Sequence, residues 1–174
     1  MPSKSISSRL TNAWIKAGRQ TSDMKSRESM KWFHAYIKKN LTYVNFAKLK
    51  ADGVMVSRPR VGQIITYLYD AKTKDKLPIW DAFPLVLVIS VDGNSWKGLS
   101  LHYLPATVRM TIILALLKDG TPRGKASTVE AIAYHYSQVI KMYLADHLKS
   151  PILNVDQYAW EQVIFLPTAR WQSN

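Results

Sequence analysis

Pro84-Leu-Val-Leu-Val-Ile-Ser-Val-Asp-Gly-Asn-Ser-Trp-Lys-Gly-Leu-Ser-Leu-His-Tyr-Leu104 governs how the rest of this chain is read. Two runs rich in β-branched and aromatic residues, 84–91 and 96–104, flank Asp92-Gly93, the dipeptide of a tight hairpin turn. They are predicted to be antiparallel neighbours. Residues 61–69 have the same character, so 61–104 reads as a small, curved β-unit.

The connection between the first two strands crowds Lys72, Lys74 and Lys76 ahead of Pro78, Trp80, Asp81, Phe83 and Pro84. The lysines suit a solvated turn, and the two prolines fix the return path of Trp80 over the sheet. We therefore read Pro78, Trp80, Asp81, Phe83 and Pro84, with His102 and Tyr103 of the third strand, as a structural clasp in preference to a base-stacking platform.

Downstream, Pro105 opens a helix with Val108, Ile112, Leu116 and Leu117 on one side, closed by Gly120-Thr-Pro122. Ser127 is expected to cap a longer helix reaching about Lys149, with Val129, Ile132, Tyr136, Val139, Ile140, Tyr143, Leu144 and Leu148 as its buried stripe. Residues 159–167 read as a last strand that returns to close the β-unit. The fold class expected is α+β: a small SH3-like or partly open β-barrel, a basic N-terminal arm and helix, and two C-terminal helices. The expected division is 1–57 for arm and helix, 58–174 for barrel, packed helices and closing strand.

Charge separates the two parts. Residues 1–60 hold thirteen Lys or Arg against three acids, whereas 61–174 hold eleven against nine. A basic arm of this kind meets a polyanion or an acidic protein surface. Residues 1–25 have sparse apolar members, so they are expected to be extended, or ordered by a partner. Residues 26–41 form an amphipathic helix capped by Ser26, with Met30, Phe33, Ile37 and Leu41 at helical spacing. Cations are interleaved with aromatics throughout this third. The candidate partner-binding or nucleic-acid-binding residues are Trp14, Arg19, Lys25, Arg27, Lys31, Trp32, Phe33, Tyr36, Lys38 and Lys39.

Several chemistries are excluded or left without support. The 174 residues include no cysteine, so disulfides, thiolate metal sites and cysteine nucleophiles are ruled out. His34, His102, His135 and His147 lack metal-ligand spacing, and 127–149 as one helix would hold the last two far apart. There is no phosphate-binding glycine loop, no nucleophile elbow and no apolar run long enough to span a membrane. We expect no cofactor, metal, membrane or small-molecule substrate.

Residues 61–70 followed by 83–90 look like the opening of the small-barrel toxin endoribonucleases. The arginine those enzymes use is missing between Asp70 and Pro84, so this likeness reports the barrel and leaves a ribonuclease as the third reading. A longer resemblance rests on four segments in order: Ser29-Met-Lys-Trp-Phe33, residues 62–86, Gly98-Leu-Ser-Leu-His-Tyr-Leu-Pro105 and Val163-Ile-Phe-Leu-Pro167. Together they resemble virion proteins of T-even-like contractile-tailed phages, of the DNA end protector or tail, neck and baseplate kind. The resemblance implies a non-enzymatic particle component, found in the virion and in host cytoplasm during assembly. Our first reading is a tail, neck or baseplate protein whose basic arm binds other virion proteins, with the Met30, Trp32, Phe33 and Tyr36 stripe in a neighbour's groove. The alternative is an end protector binding double-stranded DNA at the genome terminus.

Overall fold

A computed structural model describes residues 5–17, 22–41, 46–71, 82–119 and 125–168. Along the chain run α1 (Ile6–Ala17), α2 (Ser22–Leu41), α3 (Phe46–Ala51), β1 (Met55–Val56), β2 (Ile64–Thr66), β3 (Leu85–Asp92), β4 (Ser95–Ser100), α4 (Ala106–Lys118), α5 (Ala126–His135), β5 (Ile140–Leu144), β6 (Ile152–Asn154) and α6 (Trp160–Ile164). The strands form one antiparallel sheet in the order β1-β6-β2-β3-β4-β5.

The β3–β4 hairpin forms where the sequence placed it. Asp92 faces Ser95, and Gly93 takes a φ of 52°, a conformation a side chain would resist. Leu85, Val86, Leu87 and Val88 are all fully buried, because both faces of the sheet are covered. One face, with Ile64, Leu85, Leu87 and Leu99, packs against Leu10, Phe33, Ile113, Val129, Trp160 and Val163 of the helices. The other carries Ile65, Val86 and Val88 with a knot of Tyr67, Tyr69, Trp96 and Tyr143. Tyr67, at the centre of the knot, accepts a hydrogen bond from Trp96 Nε1 (3.2 Å) and meets Tyr143 edge to face. Burial pushes the Tyr67 phenol far above its ordinary value.

The sheet curls over this second face but stays open. Tyr69 bridges to Leu148, and Lys149 N–H donates to the Leu68 carbonyl (2.9 Å), drawing the chain after β5 towards the chain after β2. The edges are β1 and β5. The mixed helix-and-sheet class is therefore as expected, and the barrel is not closed.

Three expectations are corrected. The long helix of 127–149 stops at His135, and Ile140–Leu144 is an edge strand paired with β4. Consequently His135 and His147 do not share a helix. The closing strand expected at 159–167 is instead a turn and α6, while β6, which the sequence did not reveal, inserts between β1 and β2. Finally, 6–17 is a helix and not extended chain: its few apolar residues, Ile6, Leu10 and Trp14, recur every fourth position. Leu10 is buried in the core and the Trp14 ring stacks on Phe165 at 5.8 Å.

Of the expected clasp, Pro78, Trp80 and Asp81 lie outside the described residues. Pro84 is buried and Phe83 half-buried against the core. His102 Nε2 lies 3.3 Å from the Phe83 carbonyl and its ring meets Phe33 edge to face. Tyr103 is buried beneath Lys141, whose Nζ lies 4.5 Å from the ring centroid.

Candidate nucleic-acid interface

The helix α2 has two sides with opposite fates. Inward, Phe33 is buried and Trp32 and Tyr36, stacked on each other at 5.4 Å, are half-buried against the core. Polar anchors fix this side. Ser29 Oγ donates to Gln162 Oε1 (3.1 Å), and the Tyr36 hydroxyl donates to the Asn154 carbonyl (2.7 Å). Burial first, and then the negative charge of Asp156, hold the Tyr36 phenol well above its ordinary value, so it stays a neutral donor. Trp32, Phe33 and Tyr36 are thus engaged with this protein's own core.

Outward, Arg27, Lys31, Lys38 and Lys39 are exposed. Arg27, Lys31 and Lys38 are separated by one and two helical turns, so their stems rise along one side of the helix at intervals of about 6 and 10 Å. Glu28 is matched to Lys25 at 3.2 Å.

Other cations extend the field. Lys16 of α1 and Lys48 and Lys50 of α3 are exposed, as are Arg58 and Arg60 before β2. Arg19 lies outside the described residues. Sequence reading had placed Trp14 with the binding set, and the structure places it in packing. Lys48, Lys50 and Arg60 are exposed cations outside that set, within the 1–60 stretch whose charge bias the sequence shows.

Beside the Tyr36 anchor a groove of about 470 Å³ runs between Ile6, the chain at 60–64 and the turn that leads into α6. Its floor is Ile64, Val155 and Trp160; its rim carries Arg60, Asp156 and Tyr158. Among the described residues no three His, Asp or Glu are grouped to hold a metal ion, and no helix is long and apolar enough to cross a membrane.

A family model described as "Phage T4 terminal DNA protecting protein" matches residues 8–174. The chain belongs to that family. The matched range takes in most of α1, all of α2 and the sheet. No curated protein and no solved structure matches the chain. The family is described by protection of DNA ends, which favours the end-protector reading over a place in the tail, neck or baseplate; cleavage of RNA is no part of that description.

Proposed function

We propose that this protein binds the termini of linear phage DNA as a virion component and shields them, with the exposed cations of α2 gripping the phosphate backbone. The observation that carries the reading is the division of α2: its aromatic side is docked on the protein's own sheet and α6, and its cationic side faces solvent. A helix of this kind presents charge for a polyanion and has no apolar stripe for a protein groove. Covering the terminus shields it by occupancy, without bond-making chemistry. Membership of the family supports the terminus as the target, since phosphate contacts alone do not distinguish one stretch of duplex from another.

The test is competition between a blunt-ended linear duplex and a closed circle of the same sequence, with exonuclease digestion of the linear form as a second readout. The expected outcome is preference for the linear duplex and slower digestion of its ends. Equal affinity for both forms, with ends digested at the unprotected rate, would refute the reading.

A further inference from the structure

The α2 ridge explains grip and leaves end selection unexplained, because backbone phosphates look alike along the whole duplex. What a terminus alone offers is the uncovered face of its last base; inside the duplex every base face is covered by its neighbours. A site that selects ends on this basis needs an exposed aromatic surface, a cation within reach of a phosphate, and room for a single nucleotide.

The groove beside α2 has all three. Tyr158 stands on its rim 70% exposed, with its ring open to solvent. The backbone that carries the ring is held from two sides. Tyr158 N–H donates to Asp156 Oδ1 (2.9 Å), and its carbonyl accepts from Arg9 Nη2 (2.9 Å). The Arg9 guanidinium lies 5.8 Å from the ring centroid and is itself tied to Glu161 at 3.9 Å. Arg9 thereby covers one face of the ring. Arg60, exposed on the rim, has its backbone fixed by Gln63 Oε1 (2.8 Å). The floor of Ile64, Val155 and Trp160 is rigid, with the indole N–H donating to the Val155 carbonyl (3.0 Å). A volume of about 470 Å³ is of the size that holds one small ligand. Asn154 joins the two surfaces: it lines the groove, and its carbonyl anchors Tyr36 of α2.

We propose that this groove receives the terminal nucleotide of a DNA strand, its base stacked on the uncovered face of Tyr158 and its phosphate at Arg60. The proposal rests on the terminus-binding reading above and names the part of the surface that recognises the end. Asp156 sets the orientation. Its carboxylate repels a phosphate and accepts from the exocyclic amino group of a base, so the phosphate goes to the Arg60 side.

The experiment uses the full chain with Tyr158→Ala, Tyr158→Phe and Arg60→Ala, each checked by thermal melting. Linear and circular duplexes compete as before, and deoxyadenosine monophosphate is the small probe. Loss of one stacked base predicts that Tyr158→Ala lowers the linear-over-circular preference by roughly tenfold, chiefly through weaker binding of the linear form. Tyr158→Phe keeps the ring and is expected to keep the preference; Arg60→Ala is expected to lose part of it. The mononucleotide is expected to displace the linear duplex and not the circle. An end preference that survives Tyr158→Ala overturns the assignment of the groove while leaving terminus binding intact. A mononucleotide that binds without displacing linear duplex shows a free-nucleotide site and also overturns it. If the wild-type chain shows no end preference, it is the functional reading that fails.

Discussion

Arg109 enters the core from α4 with its side chain wholly buried, and its hydrogen bonds run to six backbone carbonyls. Nε donates to Leu101 (2.7 Å); Nη1 and Nη2 reach Val163, Ile164, Leu166 and Pro167 at the end of α6, and His102. The last carbonyls of a helix have no partner within it, and a planar fork of five N–H donors is well suited to several at once. Burial lowers the guanidinium to about 10, which still leaves it charged at neutral pH. Desolvating the ion costs several kcal/mol, and charge-assisted hydrogen bonds of roughly 1.5–3 kcal/mol each offset that cost only while the set is complete. Arg109→Met removes every donor and strands the carbonyls, so a loss of about 3 kcal/mol or more is expected, read as a lower urea midpoint. Arg109→Lys keeps the charge without the fork and is expected to recover only part of the loss. A wild-type midpoint for Arg109→Met would show that the carbonyls find other partners. An arginine between Val108 and Met110 in so apolar a helix was itself a sign of a buried polar role, and the helical pattern passed over it.

Among the elements, α1 shows how little apolar surface is needed to dock a polar-looking segment. Its moment arm is three residues, Ile6, Leu10 and Trp14, and they land between α4 and α6 with Leu10 at 1% exposure. Leu10→Ala is expected to destabilise by about 2–5 kcal/mol, the range for emptying a buried leucine site. Chemical denaturation checks this: an unshifted transition would mean that α1 contributes nothing to the body. The hairpin of β3 and β4 was legible because a turn dipeptide sits between two local runs, so local sequence and sheet pairing agree. The chain after Ser127 was not, because Val129, Ile132, Tyr136, Val139 and Tyr143 satisfy a helical period into a strand of five residues. Its fate is set by pairing with β4 about forty-five residues away, which no local period reports. In α6 the signal was present: Trp160, Val163 and Ile164 recur at helical spacing and are all buried. The expectation of a returning strand at 159–167 hid it. Of the candidate site, the outward cations of α2 were legible from composition and period. The groove was not, since Ile6, Arg60 and Tyr158 come together only through the fold.

At the scale of the whole molecule, the basic third and the sheet are one packed body, since Leu10 and Phe33 share a core with Leu85, Leu99 and Trp160. The charges of α2 are consequently carried on a fixed surface and not on a loose arm, which limits how many phosphates can be met together. Four cations, Arg27, Lys31, Lys38 and Lys39, are exposed on the outer side of this helix. Each phosphate neutralised releases condensed counterions, so four contacts predict that log K falls with log salt at a slope of about −3.6 on duplex DNA. Recruitment of Lys48 and Lys50 of α3 would steepen this, and a slope near zero would remove the ridge from the interface. Lys31→Ala isolates one contact: on linear and circular duplex alike the slope is expected to become shallower by about one, with the same loss for every sequence tried. Lys31 is exposed midway along the ridge, so its removal leaves the docked side of α2 untouched and melting is expected to hold at the wild-type temperature. A slope that stays constant in Lys31→Ala, measured by titration at several salt concentrations, would move the phosphate contacts off α2 and onto the cations nearer β2.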